Sequence, residues 1–425
     1  MTLIEERIME EYRMLMNTYI LPLFQLKNNQ FEFKNDSREI IESTDDIFIL
    51  ETKCLTYFNK CILVNTKLNI QRNLANVVWN SLMTVFPYVV NNGKIINSFG
   101  ALNNFQNALY ESAYVWGISQ WLGGGTIDNT IYTIVRGYMK WSMKTYEGHR
   151  VQFGTVIDCN DIFTSQESDE HQRTQFVDLL MTDASASLSD GVNTFFAIDK
   201  KGYIKSVLDV DSSVAYKNSS RELESLSPNV FIKVCKASQR ENVGICLSES
   251  GDIYCFKKRQ LKIARINGRW VIFDYESFKK QVEPILDNEN KIKQLYLTCL
   301  DVSYARTGGC LAVCNDYKAL INILPKQKEL DINASLLRIV EQRDFFQLPK
   351  NIRKELVAID GATIINREGT LKNIGTIIKK VSSSIGGGGR RAAAKQLSKY
   401  GMAIKISADG YIELFINEKI VLEFK

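Results

Sequence analysis

The chain has 425 residues with 53 basic and 48 acidic side chains, a net charge of +5, and 45% hydrophobic residues. This length accommodates two or three domains with full cores, and the composition is that of a globular protein rather than a disordered chain. Because basic residues are interspersed with acidic ones throughout, a nucleic-acid partner is not expected.

The N-terminal stretch MTLIEERIMEEYRMLMNTYILPLF is acidic, with Glu5, Glu6, Glu10 and Glu11, which is the wrong charge for a signal peptide. No run approaches the ~18 apolar residues of a membrane span. The nine cysteines form no C-x-x-C pair and the chain has two histidines, so a zinc site is not expected. We therefore expect a cytoplasmic protein without a membrane span, whose cysteines are reduced and mostly buried.

Residues 1–150 have a helical, aromatic pattern, seen in NLANVVWNSLMTVF and ESAYVWGISQWLGGG. The tryptophans of this region could form a face for a ligand or partner, or they could simply be core residues, which is the favoured interpretation. They are Trp79, Trp116, Trp121 and Trp141. We predict a sensor or regulatory domain over residues 1–150, with Gly123 to Gly125 in a loop between helices.

Residues 151–275 form a β-rich middle segment in this prediction. VQFGTVIDCND, NTFFAID and NVFIKVCKA have the β-branched, alternating composition of strands. The stretch VGICLSESGDIYCFKKRQLKIARINGRWVIFD predicts three or four strands in a meander, with hairpin turns at Ser250-Gly251 and Asn267-Gly268.

Residues 276–425 have a mixed α/β pattern, and we predict a mixed sheet flanked by helices. KIKQLYLTCLDVSYA and ASLLRIVEQRDFF have helical spacing, and GGCLAVC between them is an apolar strand. LVAIDGATII is expected to be a strand, a tight turn at Asp360-Gly361 and a second strand. MAIKIS, ending at Ser407, and then YIELFI and KIVLEF complete the sheet.

Four glycines, Gly386 to Gly389, stand directly before Arg390, Arg391 and a run of strong helix formers. The block is either a flexible linker or a site for an anion. A glycine loop at a helix N-terminus presents unpaired N–H groups and the positive end of the helix dipole, and two guanidinium groups lie beside it.

IDGATII, followed by GGGGRRAAAKQLSKYGMAIKISADGYIELF, resembles the catalytic domain of diadenylate cyclases. The paired motifs of that family are Asp-Gly-Ala and a Gly-Thr-Arg-His-Arg-Ala-Ala stretch. The order of the flanking helices and strands is similar as well, and the resemblance extends over roughly residues 276–425, about a third of the chain.

The resemblance implies that two ATP molecules on facing protomers condense into cyclic di-AMP and two pyrophosphates, so at least a face-to-face homodimer is expected. Mg²⁺ or Mn²⁺ is the implied cofactor, with Asp360 as its ligand. The implied ATP-binding residues are Gly361, Ala362, Gly387, Gly388, Gly389 and Ser407. The implied catalytic residues are Asp360, Arg390 and Arg391, the two arginines stabilising charge on the phosphates.

The chain departs from the family pattern at several positions. Aligned on the alanines, Gly388 replaces Thr, Gly389 replaces the first Arg, and Arg390 replaces His. The family's Ser-Glu-Glu is Ser407-Ala408-Asp409 in this chain. Arginine cannot carry a proton near neutrality, although it can bind phosphate. Two functions therefore stay open: a diadenylate cyclase, or a degenerate nucleotide-binding sensor or scaffold of the same fold.

Overall fold

A computed structural model of the chain describes most of the sequence. The described residues are 3–24, 31–34, 47–51, 60–64, 69–91, 94–95, 100–163, 174–182, 188–209, 225–321, 324, 339–340, 343–378 and 388–425. They form two units, residues 1–223 with 233–272 and residues 224–232 with 273–425. Both units combine helices with a large sheet, which confirms the prediction of a mixed α/β chain in this coarse form.

The first unit begins with helices, short strands and a three-stranded antiparallel sheet that the sequence analysis did not identify. The helices are α1 (Leu3–Leu15), α2 (Leu21–Phe24), α3 (Asn69–Val89), α4 (Gly100–Gly123) and α5 (Asp128–Trp141). The strands are β1 (Phe31–Lys34), β2 (Ile47–Glu51), β3 (Lys60–Val64), β4 (Val90–Asn91), β5 (Lys94–Ile95), β6 (Thr145–Tyr146) and β7 (His149–Arg150). The helices predicted from NLANVVWNSLMTVF and ESAYVWGISQWLGGG are confirmed as α3 and α4.

The rest of the first unit is a seven-stranded sheet with two short helices. The strands are β8 (Phe153–Ile157), β9 (Thr194–Ile198), β10 (Ile204–Asp209), β11 (Val243–Leu247), β12 (Ile253–Lys257), β13 (Gln260–Ile266) and β14 (Arg269–Ile272). The helices are α6 (Phe176–Leu179) and α7 (Ile232–Ala237). The strand order is β10-β9-β8-β11-β12-β13-β14, with β8 and β9 parallel and the other neighbours antiparallel. The predicted meander is therefore confirmed.

Helices and sheet of the first unit share one hydrophobic core. Trp79 and Trp141 are buried, and Tyr138 of α5 stacks on Phe153 of β8 at 5.6 Å between ring centroids. The buried indole of Trp141 donates its N–H to the carbonyl of Leu180 at 2.8 Å. Trp79 and Trp141 thus have the core role that was favoured for them.

One strand prediction in this region is wrong. NVFIKVCKA forms a 3₁₀ turn, Asn229–Phe231, followed by α7. Val234 and Cys235 of α7 are fully buried. A short apolar run fits both the strand and the helix pattern, and the tertiary contacts of this segment favour the helix.

The second unit contains a six-stranded mixed sheet between helices. The helices are α8 (Tyr275–Val282), α9 (Glu289–Ala305), α10 (Tyr317–Ile321), α11 (Lys350–Ala358) and α12 (Gly388–Leu397). The strands are β15 (Gly309–Cys314), β16 (Ala362–Asn366), β17 (Leu371–Thr376), β18 (Gly401–Ile406), β19 (Ile412–Ile416) and β20 (Lys419–Phe424). The strand order is β17-β16-β15-β18-β19-β20, and only β15 and β16 run parallel. The helix predicted from KIKQLYLTCLDVSYA is α9, and the strand predicted from GGCLAVC is β15.

Helices cover the sheet of the second unit on both faces. Ala393 and Ala394 of α12 pack on Cys310 and Ala312 of β15. On the other face, a side chain at Gly309 would collide with Val357 of α11. These contacts fix α12 and α11 on opposite sides of β15, because adjacent residues of a strand point to opposite faces.

The expected strand before Asp360 is wrong, because residues 350–358 form α11. Its buried side chains Arg353, Leu356 and Val357 have the spacing of a helical face. The Arg353 guanidinium donates to the carbonyls of Phe346 and Leu348, which holds the start of the helix against the preceding turn. The second predicted helix, ASLLRIVEQRDFF, falls mostly outside the described residues, and its last part is a 3₁₀ turn at Phe345–Gln347.

No helix among the described residues is both long and apolar enough to cross a membrane. The cysteines at seven described positions are free thiols. Burial raises the pKa of the Cys255 and Cys310 thiols to about 12, so both are protonated at neutral pH.

Candidate active site at the start of helix α12

Asp360 lies in the turn between α11 and β16, and its carboxylate is 90% exposed. This turn depends on Gly361, which has φ +95 and packs directly on the backbone of Gly375. A side chain at position 361 would collide with that backbone, so Gly361 is required by both its conformation and the space available. Ala362, the first residue of β16, is fully buried. The backbone around Gly361 therefore places the exposed Asp360 carboxylate just before β16, at the end of the sheet where this strand begins.

Arg390 reaches the Asp360 carboxylate from the first turn of α12. Its Nη2 lies 3.7 Å from the Asp360 Oδ1, and its Nη1 donates to the carbonyl of Thr307 at 3.4 Å. The guanidinium rests on Gly308, whose φ is +67 and where an added Cβ would collide with Nη1. The sequence reasoning missed Gly308, although a glycine pair before a buried strand is a signal for close approach of another group.

The glycines at the start of α12 are open to solvent. Gly388 and Gly389 are exposed, and a Cβ at either position would meet no atom within 4 Å. Gly388 has φ +76, a conformation that glycine adopts without strain. The N–H groups of the first helical turn have no partners within the helix, so this end attracts an anion. Gly387 lies outside the described residues.

Arg391 points away from Asp360, onto the sheet. Its Nη2 lies 3.3 Å from Oε1 of Glu413 and 4.0 Å from Oε1 of Glu423. Lys405 contributes a second cation, 3.1 Å from Oε2 of Glu413. The Glu413 side chain is only 3% exposed, so the two cations compensate a buried carboxylate.

Glu423 has a raised pKa because its carboxyl group is buried and lies beside the negative charge of Glu413. Lys425 and Arg391 act in the opposite direction. Arg391, Lys405, Glu413 and Glu423 form one charged cluster between α12 and the strands β18, β19 and β20, which we call the sheet cluster.

Ser407 lies in the turn between β18 and β19, where its hydroxyl accepts the N–H of Tyr411 at 3.1 Å. Its own N–H donates to the Tyr411 carbonyl at 2.9 Å. Ser407 follows Ile406, the last residue of β18, and the Ile406 carbonyl lies near Gly308. The Ser407 turn is therefore at the same end of the strands as Asp360 and Arg390. These contacts are those of a residue that shapes the turn.

The structure therefore brings Asp360, Arg390 and the exposed glycines of α12 together, and it places Arg391 in the sheet cluster. Within the described residues, no group of three His, Cys, Asp or Glu side chains could hold a metal ion by itself. Asp360 offers a single, exposed carboxylate. This fits Mg²⁺, which is commonly bound through one or two carboxylates together with waters and substrate phosphates.

No protein-family model and no curated protein matches the chain. Among solved structures, the chain is similar to the crystal structure of a double mutant of DacA from Staphylococcus aureus, with 15% identity and a TM-score of 0.24. The match covers 33% of this chain and 89% of that chain.

Proposed function

We propose that this protein is a diadenylate cyclase, which condenses two ATP molecules into cyclic di-AMP and two pyrophosphates. The observation that carries the proposal is the pairing of Asp360 with Arg390 at 3.7 Å, where the exposed, glycine-led end of α12 begins. An exposed carboxylate and a guanidinium beside unpaired helix N–H groups provide the kinds of group that a metal–triphosphate requires. The motif resemblance of residues 360–362 and 387–393 gives the proposal its specific reaction.

In this reaction the 3′-hydroxyl oxygen of each ATP attacks the α-phosphorus of the other. A P–O bond to the ribose forms, the bond to the pyrophosphate breaks, and the hydroxyl proton is released to solvent. Arg390 stabilises the negative charge that develops on the α-phosphate oxygens and on the leaving pyrophosphate. The N–H groups of Gly388 and Gly389 bind the triphosphate, with no side chain to hold it at a distance.

Asp360 would hold Mg²⁺ or Mn²⁺ in this proposal, and the metal supplies neutralisation of phosphate charge and activation of the hydroxyl. In the structure the Asp360 carboxylate pairs with Arg390. To bind a metal–nucleotide, the pair must separate so that Asp360 contacts the metal and Arg390 contacts phosphate. An exposed ion pair costs little to break, about 1 kcal/mol or less. Because one site holds one ATP and the reaction joins two, two chains must present their sites to each other.

A nucleotide-binding sensor or scaffold without catalysis is the second candidate, and the placement of Arg391 favours it. Arg391 is the one basic position that keeps the family's residue type, yet its guanidinium contacts Glu413 rather than the glycine end of α12. Arg390, at the position of the family's histidine, cannot act as a proton carrier. Nucleotide binding and turnover must therefore be measured separately.

The test compares the wild-type protein with Asp360→Asn in two assays, ATP binding and product formation with Mg²⁺ or Mn²⁺. Asn has the size of Asp without its charge, so we expect ATP binding to persist in the variant. Cyclic di-AMP, detected by mass spectrometry, should form with the wild type and fall by about two orders of magnitude or more in the variant. Saturable ATP binding with intact ATP under both metals would favour the scaffold instead.

A further inference from the structure

Six strands of the first unit's large sheet have the topology of the six-stranded sheet of the second unit. In the first unit their order is β10-β9-β8-β11-β12-β13, with β14 as an additional strand beside β13, and in the second unit it is β17-β16-β15-β18-β19-β20. In each, the first and second strands along the chain are parallel and every other neighbouring pair is antiparallel. We call residues 153–266 the first copy and residues 309–424 the second copy.

The turn after the fourth strand is the same in both copies. In the first copy, the N–H of Ser248 donates to the carbonyl of Asp252, the N–H of Gly251 to the carbonyl of Ser248, and the N–H of Asp252 to the Ser248 hydroxyl, at 2.9, 2.9 and 3.2 Å. In the second copy, Ser407, Gly410 and Tyr411 take the places of Ser248, Gly251 and Asp252. The same three hydrogen bonds measure 2.9, 2.9 and 3.1 Å there. The glycines have φ +81 and +85.

The next hairpin repeats two irregular features. A β-bulge interrupts β12 and β13 at Cys255/Phe256, and another interrupts β19 and β20 at Leu414/Phe415. Each is followed by a turn with two consecutive left-handed residues that are not glycine. These are Lys258 and Arg259 in the first copy, and Asn417 and Glu418 in the second.

The hairpin between the second and third strands also matches. The side chain of Asp199 accepts the N–H of Tyr203 at 3.0 Å, and that of Asn366 accepts the N–H of Thr370 at 2.6 Å. Both turns contain a glycine, with φ +90 at Gly202 and +92 at Gly369.

The carbonyl of each of these two glycines also accepts a hydrogen bond from the backbone N–H of a phenylalanine that precedes it in the chain. Phe176 N–H donates to the Gly202 carbonyl at 2.9 Å, and Phe345 N–H donates to the Gly369 carbonyl at 2.8 Å.

The helix before the fourth strand lies on the same face in both copies. Val234 of α7 packs against Gly244 of β11. The corresponding residues are Ala393 of α12 and Ala403 of β18, which belong to one core. From α7 to the last hairpin, the residue number in the second copy is always 159 higher than that of the corresponding residue in the first copy, as for Ser248 and Ser407. The two copies therefore align over this stretch without insertion or deletion.

Bulges and left-handed residues at matching positions do not follow from shared topology, because sheets of one strand order can carry them anywhere. Between residues 243 and 261 the same alignment also contains identical residues. They are Ile245 and Ile404, Ser248 and Ser407, Gly251 and Gly410, Ile253 and Ile412, and Phe256 and Phe415. Ser407 is therefore shared by both copies as part of the turn.

The glycine and arginine residues that α12 contributes to the candidate site are not shared. In the same alignment Phe231 and Ile232 stand where the second copy has Arg390 and Arg391, and Asn229 stands at Gly388. The sheet cluster is also absent from the first copy, where Cys246 and Tyr254 correspond to Lys405 and Glu413.

Residues 229–232 of the first copy, which correspond to the start of α12, already make contacts within the protein. Residues 224–232 belong to the second unit by their contacts. The N–H of Asn229 donates to the Asp301 carboxylate at 2.6 Å, and the ring of Phe231 packs on Tyr304 at 5.2 Å. A phosphate cannot take the place of these contacts, because it would face the Asp301 carboxylate and an aromatic ring in place of cations.

We infer that the chain contains one fold twice, and that the second copy alone binds nucleotide, one molecule per chain. The inference rests on the proposed nucleotide binding. It means that duplication within the chain does not provide the second ATP of the reaction, so the facing site must come from another chain.

The test is the binding stoichiometry of α,β-methylene-ATP with Mg²⁺, an analogue whose pyrophosphate cannot leave, measured by isothermal titration calorimetry on the full chain. We expect one site per chain. Arg390→Ala should weaken it by about tenfold to a hundredfold, which corresponds to the loss of a charge-assisted bond. Phe231→Ala, the matched change in the first copy, should leave affinity and stoichiometry unchanged.

Photolabelling of the wild-type chain with 8-azido-ATP provides a measurement that does not depend on the folding of any variant. Labelled peptides should lie within residues 343–425. Two sites per chain, or labelling of residues 188–263, would overturn the inference while leaving nucleotide binding intact. Absence of any binding would contradict the proposed function and, with it, the single site.

Discussion

Arg391 and Glu413 form an ion pair at 3.3 Å on the face of the sheet that α12 covers, whereas the adjacent Arg390 pairs with Asp360 at the open edge. Two consecutive arginines thus have different surroundings. The Glu413 side chain is 3% exposed and that of Asp360 is 90% exposed. The two arginine side chains themselves are about equally exposed, at 31% and 30%, so they differ in their partners. We therefore expect Arg391 mainly to support the fold and Arg390 to be the arginine that contacts a ligand.

The first prediction separates these two roles by alanine substitution. Arg391→Ala leaves Glu413 with Lys405 as its remaining cation, so the free energy of unfolding should fall by about 1–3 kcal/mol. Arg390→Ala breaks a 3.7 Å pair with an exposed carboxylate and a long bond of 3.4 Å to the Thr307 carbonyl, so its stability should change by less than about 0.5 kcal/mol while ATP affinity falls. Urea unfolding and ATP titration of both variants check this. Equal loss of stability in the two variants would contradict the assignment.

The second prediction concerns Gly308, which underlies the Arg390 guanidinium. Gly308→Ala adds a methyl group that collides with Nη1 of Arg390, and it also forces alanine into a left-handed conformation. The control is Gly124→Ala, at φ +63 with no atom within 4 Å of the added Cβ. Both variants should lose about 1–2 kcal/mol of stability from the backbone conformation.

Only Gly308→Ala should also weaken ATP binding, because only there is an arginine displaced. Titration of both variants with ATP and Mg²⁺ measures this difference. If Gly308→Ala bound ATP as tightly as the wild type, Arg390 would not be a nucleotide ligand in its present position.

The third prediction follows from the raised pKa of Glu423. A carboxyl group whose pKa is higher in the folded than in the unfolded protein binds more protons when folded. Its contribution therefore favours folding at low pH and is lost as pH rises from the unfolded value of 4.5 through the folded value. Glu423→Gln, which cannot ionise, should be more stable than the wild type at pH 7, and the difference should shrink as pH approaches 4.5.

Thermal unfolding at several pH values measures this effect. The matched control is Glu418→Gln, in the β19–β20 hairpin, where Glu418 forms an exposed pair with Lys399 at 3.2 Å. It should change stability by less than about 0.5 kcal/mol. A Glu423→Gln variant less stable than the wild type at pH 7 would mean that the pairing of Glu423 with Arg391 outweighs its burial.

Much of the fold can be predicted from local patterns. The apolar spacing in KIKQLYLTCLDVSYA is long enough to specify a helix, and Ser250-Gly251 and Asn267-Gly268 mark the turns of the meander where the structure has them. The pattern fails for Leu356 to Ile359 and for NVFIKVCKA. These apolar runs are too short to distinguish the periods of strand and helix, and tertiary packing decides between them.

The site could be predicted only in part. The Asp-Gly-Ala and glycine–arginine motifs come together in the structure through Asp360 and Arg390, but the different directions of Arg390 and Arg391 depend on helix phase and strand register. Glu413 and Glu423 come together only because β19 pairs with β20 in the observed register. The internal duplication is also hard to see in the sequence, since its clearest marks are bulges and left-handed residues, which many side chains tolerate.

The most direct test of the central claim is to supply the wild-type protein with equal amounts of unlabelled ATP and ATP labelled uniformly with ¹³C and ¹⁵N, together with Mg²⁺ or Mn²⁺. Mass spectrometry of the products should show cyclic di-AMP at three masses, the middle one about twice as abundant as either outer one, because each product joins two independently chosen ATP molecules. Unchanged ATP, or a product that contains a single nucleotide and shows no mixed mass, would contradict the claim that this chain condenses two ATP molecules.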